Sequence, residues 1–169
     1  RLDAILNHQV DPHFIMEMGR EFARRYKSDN ITRVLTMESS GISIGFATAY
    51  ELGVPLVFAR RKKTLTTDGD AYFERVPSFT KGIVTDIMVA KKFLGTHDRV
   101  LLIDDIIANG DAARGLIRII ERSGADLAGL GIVIEKSFQA GARTIRELGI
   151  RIESLVTIKS LDNDQIEFE

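Results

Sequence analysis

The 169-residue chain contains no cysteine, no excess of charge of either sign and no long hydrophobic run. Without cysteine there is no disulfide, no thiolate catalysis and no Cys-ligated metal, which fits a reducing compartment and makes the cytoplasm the expected location. Lys and Arg total 23 against 24 Asp and Glu, so no global basic field draws the chain to nucleic acid or to an anionic membrane. Any anion must be held locally. The longest apolar stretch, Leu127 to Ile134, carries two glycines and falls well short of the ~20 residues that a membrane-spanning helix needs. The chain opens on Arg1 without Met or a secretory pattern, so an N-terminal piece is expected to be missing.

What is present is ordinary for a globular protein: 44% hydrophobic and 28% charged residues. A chain of this length buries a sizeable core in one domain, so residues 1–169 are expected to form a single one. Asp11-Pro12 reads as an N-cap with proline at the first helical position, and Ile15, Met18, Phe22 and Tyr26 follow at helical spacing in a helix ending near Ser28. Strands are expected over Ile31 to Met37, Pro55 to Ala59, Gly82 to Ala90, Val100 to Ile103, Leu127 to Ile134 and Ile150 to Ile158. Helices are expected over Ile42 to Leu52, around Ala113 to Ile120 and over Ala140 to Leu148. Such alternation predicts an α/β fold, a mostly parallel twisted sheet flanked by helices, with ligands outside the carboxyl ends of its strands. Arg60 to Lys81 reads as polar and irregular, too long for an idle connection, and is expected to be a flexible functional loop.

The stretch richest in chemistry runs from Val100 to Ala113. An apolar strand delivers Asp104 and Asp105, and the small-residue turn Ala108-Asn109-Gly110 leads straight into a helix. Converging backbone N–H groups and a helix N-terminus hold a phosphate without Arg or Lys. Two acids beside that cradle suit a phosphorylated sugar, because they accept hydrogen bonds from its hydroxyls and stabilise positive charge at its anomeric carbon. A solvated acidic strand end before an ordinary N-cap is the plain alternative. Asp111 stands out, since a carboxylate beside a phosphate repels it unless it points away. Glu38-Ser39-Ser40-Gly41 also joins a strand to a helix and is either a second anion cradle or a capping turn. Arg60-Arg61-Lys62-Lys63 is a solvated charge run taken alone and a source of anion neutralisation beside two cradles.

The run of apolar residues, paired acids and small-residue loop closely resembles the phosphoribosyl pyrophosphate (PRPP) motif of the type I phosphoribosyltransferases. The resemblance implies that Asp104 and Asp105 address the ribose hydroxyls as catalytic residues, while Ala108, Asn109, Gly110, Asp111 and Ala112 wrap the 5′-phosphate. It implies that Ser39, Ser40, Arg60 and Lys62 serve the pyrophosphate, that Thr64 to Lys81 is a lid, and that a small hood covers the base. In purine members a Lys at the end of the penultimate strand donates to a 6-oxopurine and an aromatic stacks on the ring, which maps onto Lys136 and Phe138; an exposed Lys beside a core Phe is the alternative. Further matches are Leu6-Asn7-His8-Gln9, Phe58-Ala59-Arg60, Ser78-Phe79-Thr80-Lys81 and Val133 to Gln139. Together they span nearly the whole chain and are similar to bacterial members acting on xanthine. Asn7 is then expected at the base, although its amide both donates and accepts and does not alone select xanthine. The resemblance also implies Mg²⁺ arriving with PRPP and held mainly by it, a homodimer, and small-molecule substrates with no nucleic acid and no membrane.

The competing readings are a hypoxanthine-guanine phosphoribosyltransferase and a non-catalytic PRPP-binding regulator. A signalling receiver domain carries paired acids after its first strand, whereas Asp104-Asp105 come late. Gly129-Leu130-Gly131 lacks the third glycine of a dinucleotide fingerprint.

Overall fold

The structure, a computed structural model, describes residues 8–62, 69–78, 82–160 and the backbone of 167–168. Asn7, the Lys62 and Ser78 side chains, Lys63, and residues 64–68 and 79–81 of the expected lid lie outside the described residues. In chain order the elements are α1 (Pro12–Arg25), β1 (Arg33–Met37), α2 (Gly41–Leu52), β2 (Leu56–Lys62), β3 (Ala71–Ser78), β4 (Ile83–Ala90), β5 (Arg99–Ile107), α3 (Asp111–Ser123), β6 (Asp126–Lys136), α4 (Gly141–Glu147), β7 (Ile152–Ser160) and β8 (Glu167–Phe168). The strands form one sheet in the order β3-β4-β2-β1-β5-β6-β7-β8. The five central strands, β2-β1-β5-β6-β7, run parallel, and antiparallel pairs close both edges.

Alternation along the central strands divides the core in two. Leu35, Val100, Leu102, Leu130 and Ile132 meet α3 and α4 on one face. Val34, Leu101, Ile103 and Val133 meet α1 and α2 on the other. The first helix forms as its sequence suggests: Asp11 Oδ1 accepts from the Phe14 amide at 3.3 Å, Pro12 opens the helix, and Ile15, Met18 and Phe22 are buried. The Gly129/Gly131 pair is a packing device. A Cβ on Gly129 would lie 2.5 Å from the Tyr26 hydroxyl, and one on Gly131 would lie 2.9 Å from the Phe22 ring, so bare backbone lets α1 seat on β6.

Two expectations are corrected. The stretch from Arg60 to Lys81 is not irregular where it is described: β2 continues to Lys62, and Ala71–Ser78 is a regular strand paired with β4 along its whole length, Ala71↔Ala90 to Ser78↔Ile83. Pro77 sits on the sheet's edge strand, where a missing ladder donor is tolerated. β3 rests on α3: Glu74 meets Arg118 at 3.0 Å and Arg122 at 3.5 Å, and Val76 fills the space over Gly115. Strand β5 also runs on past Ile103 to Ile107, so the paired acids lie within it, with Asp104 opposite Ile132.

Candidate active site

The carboxyl ends of β1, β5 and β6 meet at one edge, as parallel pairing requires. Asp104 faces a cleft of about 180 Å³ whose other walls are Ile106, Ile132 and the loop from Ala108 to Ala112. Asp105 is only 8% exposed. The two acids are linked locally: the Asp105 amide donates to Asp104 Oδ1 at 2.8 Å, and the Ile106 amide donates to Asp105 Oδ1 at 2.9 Å. Burial first, then the hydrogen-bonded Asp105 carboxyl, pushes the Asp104 carboxyl well above the usual carboxylate range. The Asp105 amide and the Arg61 guanidinium pull the other way without offsetting it.

The loop after β5 is shaped by two glycines. Gly110 takes φ +83°, a left-handed conformation, and caps α3 without a side-chain hydrogen bond, so the first amides of α3 stay open to an anion. Gly141, the first residue of α4, presses directly on this loop: its amide donates to the Ala108 carbonyl at 3.0 Å. A Cβ there would lie 2.4 Å from that oxygen. Asp111, whose charge reads as a difficulty in the sequence, is held by Arg114 at 2.9 Å.

The second turn, Glu38 to Gly41, abuts the same acids. The space over Gly41 is bounded by Thr36 Oγ1 and, at 3.5 Å, by Asp104 Oδ1. Ser40 caps α2 without a side-chain hydrogen bond, and Ser39 and Ser40 line a groove with Val10, Ile15 and Phe46. Glu38 Oε1 accepts from the Arg61 amide at 2.7 Å, fastening this turn to the end of β2.

Of the basic run, the side chains of Arg60 and Arg61 are described, and they line different clefts. Arg61 lines a cleft of about 240 Å³ with Met37, Thr85, Asp111 and Ala112. Arg60 lines a groove with Phe58, Met88 and Phe93, and its Nε stands 3.9 Å from Glu38 Oε2 of the second turn, with the side chain 71% exposed.

Lys136 ends β6 and Phe138 stands 44% exposed in the turn that follows. Beneath them Glu135, 4% exposed, takes both Arg146 guanidinium nitrogens at 2.8 Å and the Ser154 hydroxyl at 2.7 Å. Burial alone raises the Glu135 carboxyl; Arg146 and Ser154 outweigh it and hold the group below its ordinary 4.5. Its stabilising contribution is therefore present above pH 4.5 and lost as pH falls through the lower folded value. Glu135→Gln is expected to cost about 1 kcal/mol in urea unfolding at pH 7, because the buried carboxylate's charge-assisted bonds to the half-exposed Arg146 and to Ser154 are lost. The difference from the parent chain shrinks on acidification below pH 4.5.

Sequence reading missed Arg114 and Gly141 and gave Glu135 no role of its own. Only Arg114 left a local signal, its three-residue spacing from Asp111 on a helix.

The sequence pattern of the phosphoribosyl transferase domain matches residues 6–148. The chain belongs to the phosphoribosyltransferase family. Within the family, a xanthine phosphoribosyltransferase from Moorella thermoacetica is 54% identical over 99% of this chain and 86% of its own length. One from Bacillus mycoides is 50% identical over 99% and 85%. Among solved structures, the APRTase from Giardia lamblia in complex with 9-deazaadenine superposes with a TM-score of 0.79 at 25% identity, over 95% of this chain and 86% of that one. The adenine phosphoribosyltransferase from Rhodothermus marinus gives 0.72 at 25% identity, over 86% and 78%. This is the type I phosphoribosyltransferase fold, with its paired acids and small-residue loop side by side at the sheet's edge. No described helix of this family member is long and apolar enough to cross a membrane.

Proposed function

We propose that the chain transfers the phosphoribosyl group of PRPP to N9 of xanthine, giving xanthosine 5′-monophosphate and pyrophosphate in purine salvage, and that it does so as one domain in the cytoplasm. The observation that carries this is the juxtaposition of Asp104 at the cleft and the buried Asp105 with an amide-rich loop at a helix N-terminus. Family membership and the names of relatives at 50–54% identity support the choice of base.

In the mechanism, the amides of Ala108 to Ala112 and the α3 N-terminus hold the 5′-phosphate. Asp104 and Asp105 accept from the ribose 2′ and 3′ hydroxyls and stabilise the positive charge that grows at the anomeric carbon as pyrophosphate departs. Purine N9 then bonds to that carbon with no covalent enzyme intermediate. The Ser39 and Ser40 turn faces the pyrophosphate with Arg60 and Lys62, and Arg61, which lines the cleft with Asp111 and Ala112, joins them. Lys136 donates to the 6-oxo group and Phe138 stacks on the ring, with Asn7 as a further base contact. Asp104 and Asp105 are hard oxygen donors suited to Mg²⁺, and among the described residues no group of three His, Asp or Glu side chains gathers to cage an ion. With PRPP bound, its oxygens would hold most of the ion's shell and the ion would neutralise the diphosphate.

The chain acts as a homodimer. The exposed Phe46, Tyr50 and Phe58 rings support this, offering apolar area that a second copy covers.

Incubation with Mg²⁺, PRPP and each base in turn, following pyrophosphate release, tests the reading. Xanthine is expected to turn over at least about tenfold faster than guanine or hypoxanthine, the discrimination that one well-placed polar contact supplies. Equal turnover of all three would point to a hypoxanthine-guanine enzyme, and PRPP binding without turnover to a regulator.

A further inference from the structure

Arg114 stands one turn into α3 and reaches three partners around the loop. Its Nη2 donates to the Asn109 carbonyl at 2.6 Å and to Asp111 Oδ1 at 2.9 Å, while its Nη1 donates to Thr144 Oγ1 at 3.1 Å. Thr144 in turn donates to the Gly141 carbonyl at 2.9 Å, so one guanidinium ties together the loop, α3 and α4. Asp111 poses the electrostatic problem. It is the first residue of α3, where helix amides attract any anion, its own carboxylate included, and its charge repels a phosphate nearby.

We propose that Arg114 is a positioning residue for PRPP: it draws the Asp111 carboxylate aside and pins the Asn109 carbonyl to the scaffold, leaving the loop amides for the phosphate. This rests on the reading of Ala108 to Ala112 as the 5′-phosphate site and deepens it. Peptide geometry supports the second half, because in a trans peptide the N–H points opposite the C=O. The Ala108 carbonyl is taken by the Gly141 amide and the Asn109 carbonyl by Arg114, so the Asn109 and Gly110 amides both turn away from those partners. The Arg114 and Asp111 side chains are 32% and 18% exposed, so solvent screens their attraction only in part. Three acceptors on separate elements, shared between two nitrogens, suit a guanidinium fork better than a single ammonium.

The test is a double-mutant cycle read by steady-state kinetics and by calorimetric binding of ribose 5-phosphate. Arg114→Gln is expected to raise KM for PRPP about ten- to hundredfold with kcat within about threefold, the effect of losing hydrogen bonds to a charged group. Asp111→Asn tightens PRPP about two- to fivefold, and added to Arg114→Gln it recovers about tenfold of the loss. Arg114→Lys falls in between, and should Arg114→Gln fail to fold, the Lys variant with and without Asp111→Asn makes the same comparison. An unchanged KM, a fall in kcat as large as the rise in KM, or no recovery on adding Asp111→Asn overturns the proposal. If the parent chain itself binds neither ribose 5-phosphate nor PRPP, the phosphate-site reading falls. If the parent binds both and Arg114→Gln binds them equally well, only the role of Arg114 falls.

Discussion

Replacing Asp104 and Asp105 together by Asn is expected to lower turnover by at least about 10³-fold while the fold survives, because the two carboxylates carry charge stabilisation that amides do not. The local hydrogen bonds persist, since an Asn oxygen still accepts from the Asp105 and Ile106 positions' amides. Stability is expected to move the other way. The Asp104 carboxyl is held well above its ordinary 3.8, chiefly by burial, so the folded chain loses stability as pH rises from 3.8 toward that higher value. Asp104→Asn removes this loss, and its thermal midpoint at neutral pH is expected to exceed the parent's, with a flatter dependence on pH. Pyrophosphate release and thermal melts across pH check both halves. Near-normal turnover would remove the catalytic role, and a lower midpoint at neutral pH would contradict the electrostatic one.

Gly141→Ala is the second substitution with a large expected effect. Its Cβ arrives 2.4 Å from the Ala108 carbonyl oxygen and 2.7 Å from both the Asn109 carbonyl carbon and the Gly110 nitrogen. All three are backbone atoms of the loop, so the contact is relieved only by moving the loop itself. Overpacking of this kind costs about 1–3 kcal/mol, or several degrees in melting temperature for a domain of this size. The displaced amides no longer converge, and kcat/KM for PRPP is expected to fall about 100-fold or more, as a shift of about 1 Å at a reacting site does. Gly95→Ala is the control, with nothing within 4 Å of its Cβ. Equal kinetics for the two variants would mean that Gly141 does not set the loop.

The parts of this molecule that could be read from sequence share one property: their signals are contiguous. The apolar run before Asp104-Asp105, the small residues after it and the helix that follows lie next to one another, so strand, turn and helix identify themselves. Strand β3 does not, because its regularity comes from pairing with β4 and from Glu74 reaching Arg118 and Arg122, contacts far away in the chain. The basic run shows the same limit at the site. Arg60 and Arg61 look equivalent until a strand gives them faces, and alternation then puts Arg61 in the cleft with Asp111 and Arg60 in a different groove, 3.9 Å from Glu38. Gly141 is invisible for a related reason: its importance is a contact with a loop on another element.

The split core has a dynamic consequence. Strand β5 is flanked on both sides by parallel partners and covered on both faces, with Val100 to Ile103 fully buried. Transient openings of a native protein begin where such cover is thin, at edges and termini, and reach a doubly covered inner strand only when the whole unit comes apart. The two carboxylates therefore ride on a segment expected to exchange its amide hydrogens slowly, so that their geometry outlasts local breathing at the antiparallel edges.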